Sequence, residues 1–244
     1  MTSCFDMNIQ QEYTVRPIPF SEAKEWCLFK HYAKRIPPIS YAFGLFDNEN
    51  VLQGICTYGH PLSSTLKGIF GDEYSELLLE LNRLCVNDGL PKNALSFFVS
   101  KTFKMLPKPT PLVSYADSGQ GHHGYIYQAT NWIYTGLSAK FEDYVVKGME
   151  NLHPSSIGDR AGRSDKIGGG GRISHVQLLR EMYGEENVYL KERSRKHRYF
   201  YFLGTKREIK RMKSLLPYPV EPYPKGDNTR YDASYIVSPN GVLF

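Results

Sequence analysis

Apolar and polar positions alternate, cluster and break along this chain in a way that predicts a mixed series of strands and helices. Residues 12–18 alternate like an edge strand and stop at Pro17 and Pro19. Ser21 then reads as an N-cap, with Ala23, Trp26, Cys27, Lys30 and His31 at helical spacing as far as Arg35. Two β-rich runs, 40–46 and 51–58, flank the turn-forming Asp47-Asn48-Glu49-Asn50 and predict a hairpin. Residues 77–86, LLLELNRLCV, predict a central strand with Glu80 and Asn82 on one face and Arg83 on the other. A turn over 87–91 leads into a helix from Lys92-Asn93 to Leu106. A strand over 111–115, a short helix over 122–129 and a strand over 132–137 follow.

Beyond Ser138 the pattern loosens. Residues 141–146 predict a strand, and the glycine-rich 158–171 predicts a mobile loop without a GxxxxGK[ST] phosphate motif. Ser174-x-x-Gln177 is a capping box for a helix to Tyr183, 198–203 is a strand, and Thr205-x-x-Glu208 caps a basic helix ending near Leu216. Residues 218–244 are proline-rich and irregular. Strands that run directly into helices imply an α/β protein, a mixed sheet covered by helices.

Composition narrows the class. With 41 % hydrophobic residues over 244 positions the chain fills a core, which excludes general disorder. No apolar run approaches the roughly 20 residues of a membrane span, and the N-terminus does not read as a signal peptide. The cysteines at 4, 27, 56 and 85 form no CxxC pair, which points to core residues in a reducing compartment. A net charge of +5 is modest, yet 191–213 carries ten Lys or Arg against two Glu, a block that suits a polyanion. The bland alternative for that block is a solvated helix face.

The chemistry-bearing side chains gather in VSYADSGQGHHGYIYQATNWIYTG (113–136). Ser114, Asp117, His122, His123, Tyr125 and Tyr127 fall there at a strand's carboxyl end, where α/β sheets bind ligands. A satisfied structural turn is the alternative. His31-Tyr32 closes the first helix, either complementing its dipole or projecting into a cleft.

Four pieces, KHYAKRIPPISYAFGLF (30–46), ELNRLCV with LPKNALS (80–96), the 113–136 stretch, and KHRYFYFLGTKREIKRM with PYPKGDN (196–228), carry a family resemblance in order. The chain resembles the Mom family of Mu-like phages, DNA adenine modification proteins of the GNAT acyltransferase superfamily. The resemblance implies a GNAT-like mixed β-sheet flanked by helices, with a basic C-terminal α/β extension. On that reading 1–140 is the catalytic core, 141–217 a basic extension in the same compact domain, and 218–244 an irregular tail. It implies an enzyme of the infected bacterial host's cytoplasm that acts on double-stranded DNA. There it converts adenine to N6-carbamoylmethyl(acetamido)adenine, blocking restriction.

Roles follow from that chemistry. The target base must leave the duplex, with Tyr115, Tyr125, Tyr127 or Trp132 to stack on it. Asp117 is the first choice for the base that takes the N6 proton and His123 the second. Ser114 and Tyr127 hold the donor carbonyl or oxyanion, and His31 and Tyr32 complete the cleft. Arg195, Lys196, Arg198, Lys206, Arg207, Lys210 and Arg211 hold phosphates.

The Q/R-x-x-G-x-G/A turn of acetyl-CoA enzymes is missing from VNDGLPKNALS (86–96), which leaves Asn82, Arg83, Gly89, Lys92 and Asn93 to hold an anionic donor. Acetyl transfer gives an amide, whereas the expected product has N6 bonded to a CH₂. A glycyl group on N6 is an isomer of that product, so the expected donor is an activated glycine, glycyl-tRNA, with tRNA as a further partner. Acetyl-CoA is the alternative donor. An iron site from Asp117, His122 and His123 is conceivable, although adjacent side chains seldom reach one metal. The competing classes are a conventional N-acetyltransferase and a DNA-binding protein without catalysis on a GNAT scaffold.

Overall fold

Strand pairing, read from the computed structural model, organises the described residues, 9–63, 66, 68–150, 152, 157 and 175–226. The chain forms two compact units, one from the residues up to Leu137 with those from Lys196 onward, the other from Ser138 to Arg195. Residues 196–217, expected in a C-terminal extension, therefore belong to the first unit.

The first unit is built on a mixed seven-stranded sheet. Its strands in chain order are β1 (Thr14–Pro17), β2 (Tyr41–Phe46), β3 (Leu52–Gly59), β4 (Leu79–Val86), β5 (Thr110–Asp117) and β6 (Ile133–Leu137), and then, after the second unit, β9 (Lys196–Leu203). Its helices are α1 (Ile9–Glu12), α2 (Phe20–Phe29), α3 (Gly71–Tyr74), α4 (Ala94–Met105) and α5 (Tyr125–Ala129), then the basic helix after β9 (Lys206–Leu215). The spatial order is β1-β2-β3-β4-β5-β9-β6, and only β4 and β5 pair in parallel. In the second unit β7 (Glu142–Val146) pairs antiparallel with β8 (Val188–Glu192), and α6 is His175–Tyr183. Val146, Ile157, Leu179 and Val188 form its core, and Asp143 forms a bidentate ion pair with Arg193. The basic helix is α7.

Period-2 alternation assigns the two faces of the large sheet. Leu79, Leu81, Leu112, Ala116 and Tyr199 pack against Phe98, Val99 and Phe103 of α4 and Tyr127 of α5. On the other face Ile55 and Cys85 pack under Trp26 and Cys27 of α2, while Val113, Phe200 and Phe202 lie with Met212 of α7. Cys27, Cys56 and Cys85 are buried and in no disulfide, as core cysteines should be.

Two features of β4 shape the site. Tyr58 pairs with Leu81 and Thr57 with Arg83, so Asn82 is an extra residue, a β-bulge. The inward parity changes there, from Leu79 and Leu81 before it to Leu84 and Val86 after it. Thr57 donates to Asn82 Oδ1 at 2.6 Å and Asn82 Nδ2 donates to the Pro38 carbonyl at 2.7 Å, which pins the bulge. β4 meets β5 only at Leu79↔Leu112 and Glu80↔Val113. Past the bulge the two strands part.

Several expectations need correcting. The first helix starts at Phe20 with Pro19, not Ser21, at its N-cap, and it ends at Phe29 rather than Arg35. Lys34 adopts φ 44°, a left-handed conformation that no α-helix contains. The short helix over 125–129 starts later than expected, because Gly124 at φ 76° precedes it. The expected glycine-rich loop, 158–171, and Ser174 of the predicted capping box lie outside the described residues, as does 227–244. The Thr205–Glu208 capping box is present in full.

Phe200 is fully buried, edge-on to Phe70 at 5.8 Å and stacked with Tyr218 at 5.8 Å. Phe200→Ala is expected to cost about 3–5 kcal/mol, measured as the shift in urea unfolding.

Candidate active site

Where β4 and β5 part, a cavity of about 320 Å³ opens, within the roughly 300–1,000 Å³ typical of small-ligand sites. β4 contributes Glu80, Asn82 and Arg83, β5 contributes Tyr115 and Ala116, and β9 contributes Lys196. The turn after α2 adds His31 and Tyr32, the segment before α5 adds His122, and α5 adds Tyr125 and Tyr127. Lys92, Asn93 and Ser96 line it at the start of α4. Glu80 pairs in register with Val113, so Glu80 and Tyr115 share the α2/α7 face of the sheet, whereas α4 and α5 cover the opposite one. The cavity thus opens through the sheet.

Ser114 is fully buried and spans the opening. Its Oγ donates to the Leu81 carbonyl at 2.8 Å, in place of a ladder bond the parted strands no longer make. Tyr127 Oη lies 2.7 Å from the same Oγ. Ser114 has one proton and the carbonyl takes it, so Tyr127 donates to Ser114. Burial pushes the Tyr127 hydroxyl above its ordinary value, which keeps it a donor. Both groups were expected to hold the donor carbonyl; Tyr127 lines the cavity, and Ser114 supports it from behind.

The turn after α2 positions His31. Its amide bonds back to the Trp26 carbonyl at 2.9 Å, and its Nδ1 accepts from the Ala33 amide at 3.1 Å. With Nδ1 accepting, the neutral ring carries its proton on Nε2. Burial, then the nearby Arg83 and His122, lower the His31 pKa to about 3, so the ring is neutral at pH 7. Tyr32 lies tilted by 30° against His31 with centroids 4.4 Å apart and meets the His122 ring edge-on at 5.9 Å. Burial and then the Asp117 charge raise the Tyr32 hydroxyl, partly offset by Arg83.

Asp117 accepts from the Gly119 amide at 2.9 Å and caps the 3-10 turn Ser118–Gln120. His123 packs against His197 with centroids 5.5 Å apart, and a side chain at Gly226 would meet its ring at 2.6 Å. His122 and His123 therefore diverge, one into the cavity and one under the C-terminal segment. Among the described residues no three His, Cys, Asp or Glu side chains are grouped to hold a metal ion. Trp132, expected to stack on a base, is fully buried in the core.

Glu80 is the carboxylate that the sequence placed on a strand face without giving it a role. Burial pushes its carboxyl above the ordinary value, while Lys196 and Arg83 pull it down. The Arg83 guanidinium donates to the Asn82 carbonyl at 2.6 Å and the Arg35 carbonyl at 3.3 Å, and its Nε is buried without a partner. On the α4 side Asn93 occupies the N-cap position but makes no capping bond. Gly89, at φ 80° in open space, shapes the preceding turn.

The basic residues separate into four groups. Arg195 Nε donates to the Ser138 carbonyl at 2.7 Å within the second unit. Arg198 donates to Thr135 Oγ1 and the Thr135 carbonyl, each at 2.9 Å, and lies 3.4 Å over the Tyr218 ring. Lys206, Arg207, Lys210, Arg211 and Lys213 are exposed on α7, with Arg211 3.8 Å from Glu73. Lys196 alone of the residues expected to hold phosphates lines the cavity.

Fold and site together define an α/β protein with a ligand-sized cavity between two diverging parallel strands. The chain belongs to the Mom protein family, whose model matches residues 12–225. It is 30 % identical over 210 residues to the methylcarbamoylase Mom of Escherichia phage Mu, an alignment covering 80 % of this chain and 77 % of that one. Among solved structures it aligns with the spermidine/spermine N-acetyltransferase SpeG of Vibrio cholerae at 7 % identity and a TM-score of 0.41, over 80 % of this chain and 95 % of that one. YncA, a putative acetyltransferase of Salmonella typhimurium, aligns at 9 % identity with a TM-score of 0.41 and the same coverage.

Acid should weaken the fold through His31. Above pH 6.5 the ring is neutral both folded and unfolded. Between pH 6.5 and about 3 the unfolded chain binds a proton that the folded one does not, so stability falls as pH falls. The slope from this group is at most about 1.4 kcal/mol per pH unit. His31→Asn is expected to flatten the dependence of urea stability between pH 6.5 and 4. Ser114→Ala, which strands the buried Leu81 carbonyl, should cost about 1–3 kcal/mol in the same assay.

Proposed function

We propose that this chain transfers an activated acyl group to N6 of an adenine extruded from double-stranded DNA, in the host cytoplasm. One observation carries the reading: the cavity opens through the sheet, with Glu80, Arg83 and Tyr115 on one face and the start of α4 with Tyr127 on the other. Acceptor and donor can then enter from opposite faces and meet at the gap. The phage Mu relative is named a methylcarbamoylase; the group proposed for this chain is carbamoylmethyl, joined to N6 through its CH₂.

The acceptor enters from the α2/α7 face. Exposed Lys206, Arg207, Lys210 and Lys213 on α7 share that face and suit the phosphate backbone. Tyr32 and Tyr115 line the cavity and offer stacking surfaces for a flipped base, with Tyr125 of α5 on its far wall. The exocyclic amine is a weak nucleophile, so its proton must leave as the new bond forms. Glu80, in the cavity, is the proposed proton acceptor, ahead of Asp117 and His123.

The donor side is formed by Lys92, Asn93 and Ser96 at the start of α4, a helix N-terminus whose positive end suits an anion. The proposed donor is glycine esterified to tRNA. N6 attacks the ester carbonyl, the N6–C bond forms, and the ester C–O bond breaks. Glu80 takes the N6 proton and the released ribose oxygen is protonated. The glycyl amine then attacks C6, and expulsion of the amide nitrogen gives the isomeric N6-carbamoylmethyl product.

The test is nucleoside mass spectrometry on duplex DNA incubated with purified chain and either labelled glycyl-tRNA or acetyl-CoA. Labelled carbamoylmethyladenine from the glycyl donor is expected. N6-acetyladenine would replace the donor assignment, and unaltered nucleosides with both donors and in expressing cells would overturn the function. Glu80→Gln should lower the rate about 100-fold or more in folded protein. Replacing Lys206, Arg207 and Lys210 with alanine should reduce the salt slope of duplex binding by about 0.9 for each phosphate no longer neutralised.

A further inference from the structure

We propose that Lys196 is a positioning residue of the acceptor side, paired electrostatically with Glu80 across the cavity, rather than a contact to the DNA backbone. The inference rests on the function proposed above and assigns Lys196 a place within it.

Register supplies the first argument. Lys196 is the first residue of β9 and pairs with Asp117, while Phe200, four positions on, pairs with Val113. Val113 in turn pairs with Glu80 on β4. Lys196, Val113 and Glu80 therefore project on the same side of the sheet, and both charged side chains line the one cavity. The neighbouring arginines are committed elsewhere, Arg195 to the Ser138 carbonyl and Arg198 to Thr135 and Tyr218. A run of sequence that resembles one phosphate grip is divided by strand alternation into separate uses.

The surroundings of Glu80 supply the second. The groups lining the cavity with it on this side are Arg83 of its own strand, Tyr115 of β5, Lys196 of β9, His31 and Tyr32 after α2, and His122 before α5. His31 is neutral at pH 7, and burial keeps the Tyr115 hydroxyl protonated. Arg83 is a cation already engaged by two carbonyls. Lys196 supplies the further positive charge, and both cations favour the carboxylate against the cost of burying it. A general base must be ionised before the amine arrives, so the pair readies Glu80 for its step.

The experiment follows the Glu80 carboxyl resonance by NMR titration of the full folded chain in wild type, Lys196→Met and Lys196→Arg, with Lys196→Gln replacing the methionine variant if that one unfolds. Duplex affinity is measured at two salt concentrations beside Lys210→Ala. Loss of the cation should raise the Glu80 midpoint by about one unit, and Lys196→Arg should restore it. In the activity assay the acid limb of kcat/KM should move upward in parallel, while the salt slope stays at the wild-type value. An unmoved midpoint together with a salt slope reduced as in Lys210→Ala overturns the proposal. The titration needs no turnover, so a chain that modifies no DNA refutes the proposed function and leaves this pairing to be judged by the midpoint.

Discussion

The whole site depends on one constraint, that β4 and β5 leave each other after two residue pairs and still satisfy their buried backbone groups. Parallel strands that part expose carbonyls and amides that a sheet would otherwise pair. Here the Leu81 carbonyl takes the Ser114 hydroxyl, and that hydroxyl in turn accepts from Tyr127. The bulge at Asn82 turns β4 away and is itself held from Thr57 and Pro38. A cavity in the middle of a sheet is stable only because these few side chains replace ladder bonds.

The opening gives the two faces different characters. On the α2/α7 side burial acts on a carboxylate, an imidazole, phenols and the Arg83 guanidinium, and it holds the imidazole neutral while pressing the carboxyl upward. The α4 side is simpler, a helix start with a lysine and an uncapped asparagine. Beyond the site, the segment after α7 secures the far edge of the sheet. The Glu221 amide donates to the Tyr134 carbonyl at 3.0 Å and Tyr223 Oη to the Trp132 carbonyl at 2.6 Å, covering a strand edge that would otherwise be open.

Local signals were legible in the sequence where the physics is local. The hairpin of β2 and β3, the strands β5 and β6, and the Thr205–Glu208 cap follow from alternation, turn residues and capping chemistry within a few positions. The insertion of β9 between β5 and β6 was not legible, because pairing partners some 80 residues apart leave no periodic trace. The strand over Val188–Glu192 was missed since only Val188 is buried and the next four residues are exposed. At the site, Tyr127, Tyr32 and His31 were recognisable by residue type, whereas Glu80 gained its meaning from a register that places it beside Tyr115. Lys196 read as one more positive charge in a basic run, and only strand alternation separates it from Arg195 and Arg198.

The most direct measurement of the central claim is the fluorescence of 2-aminopurine placed at the target adenine of a duplex and titrated with the chain. An adenine drawn from the stack into the gap between β4 and β5 predicts a strong rise on binding, abolished when Ala116 on the cavity wall is enlarged to phenylalanine. Tight binding with the signal unchanged would mean the base stays stacked, and the cavity would then need another occupant.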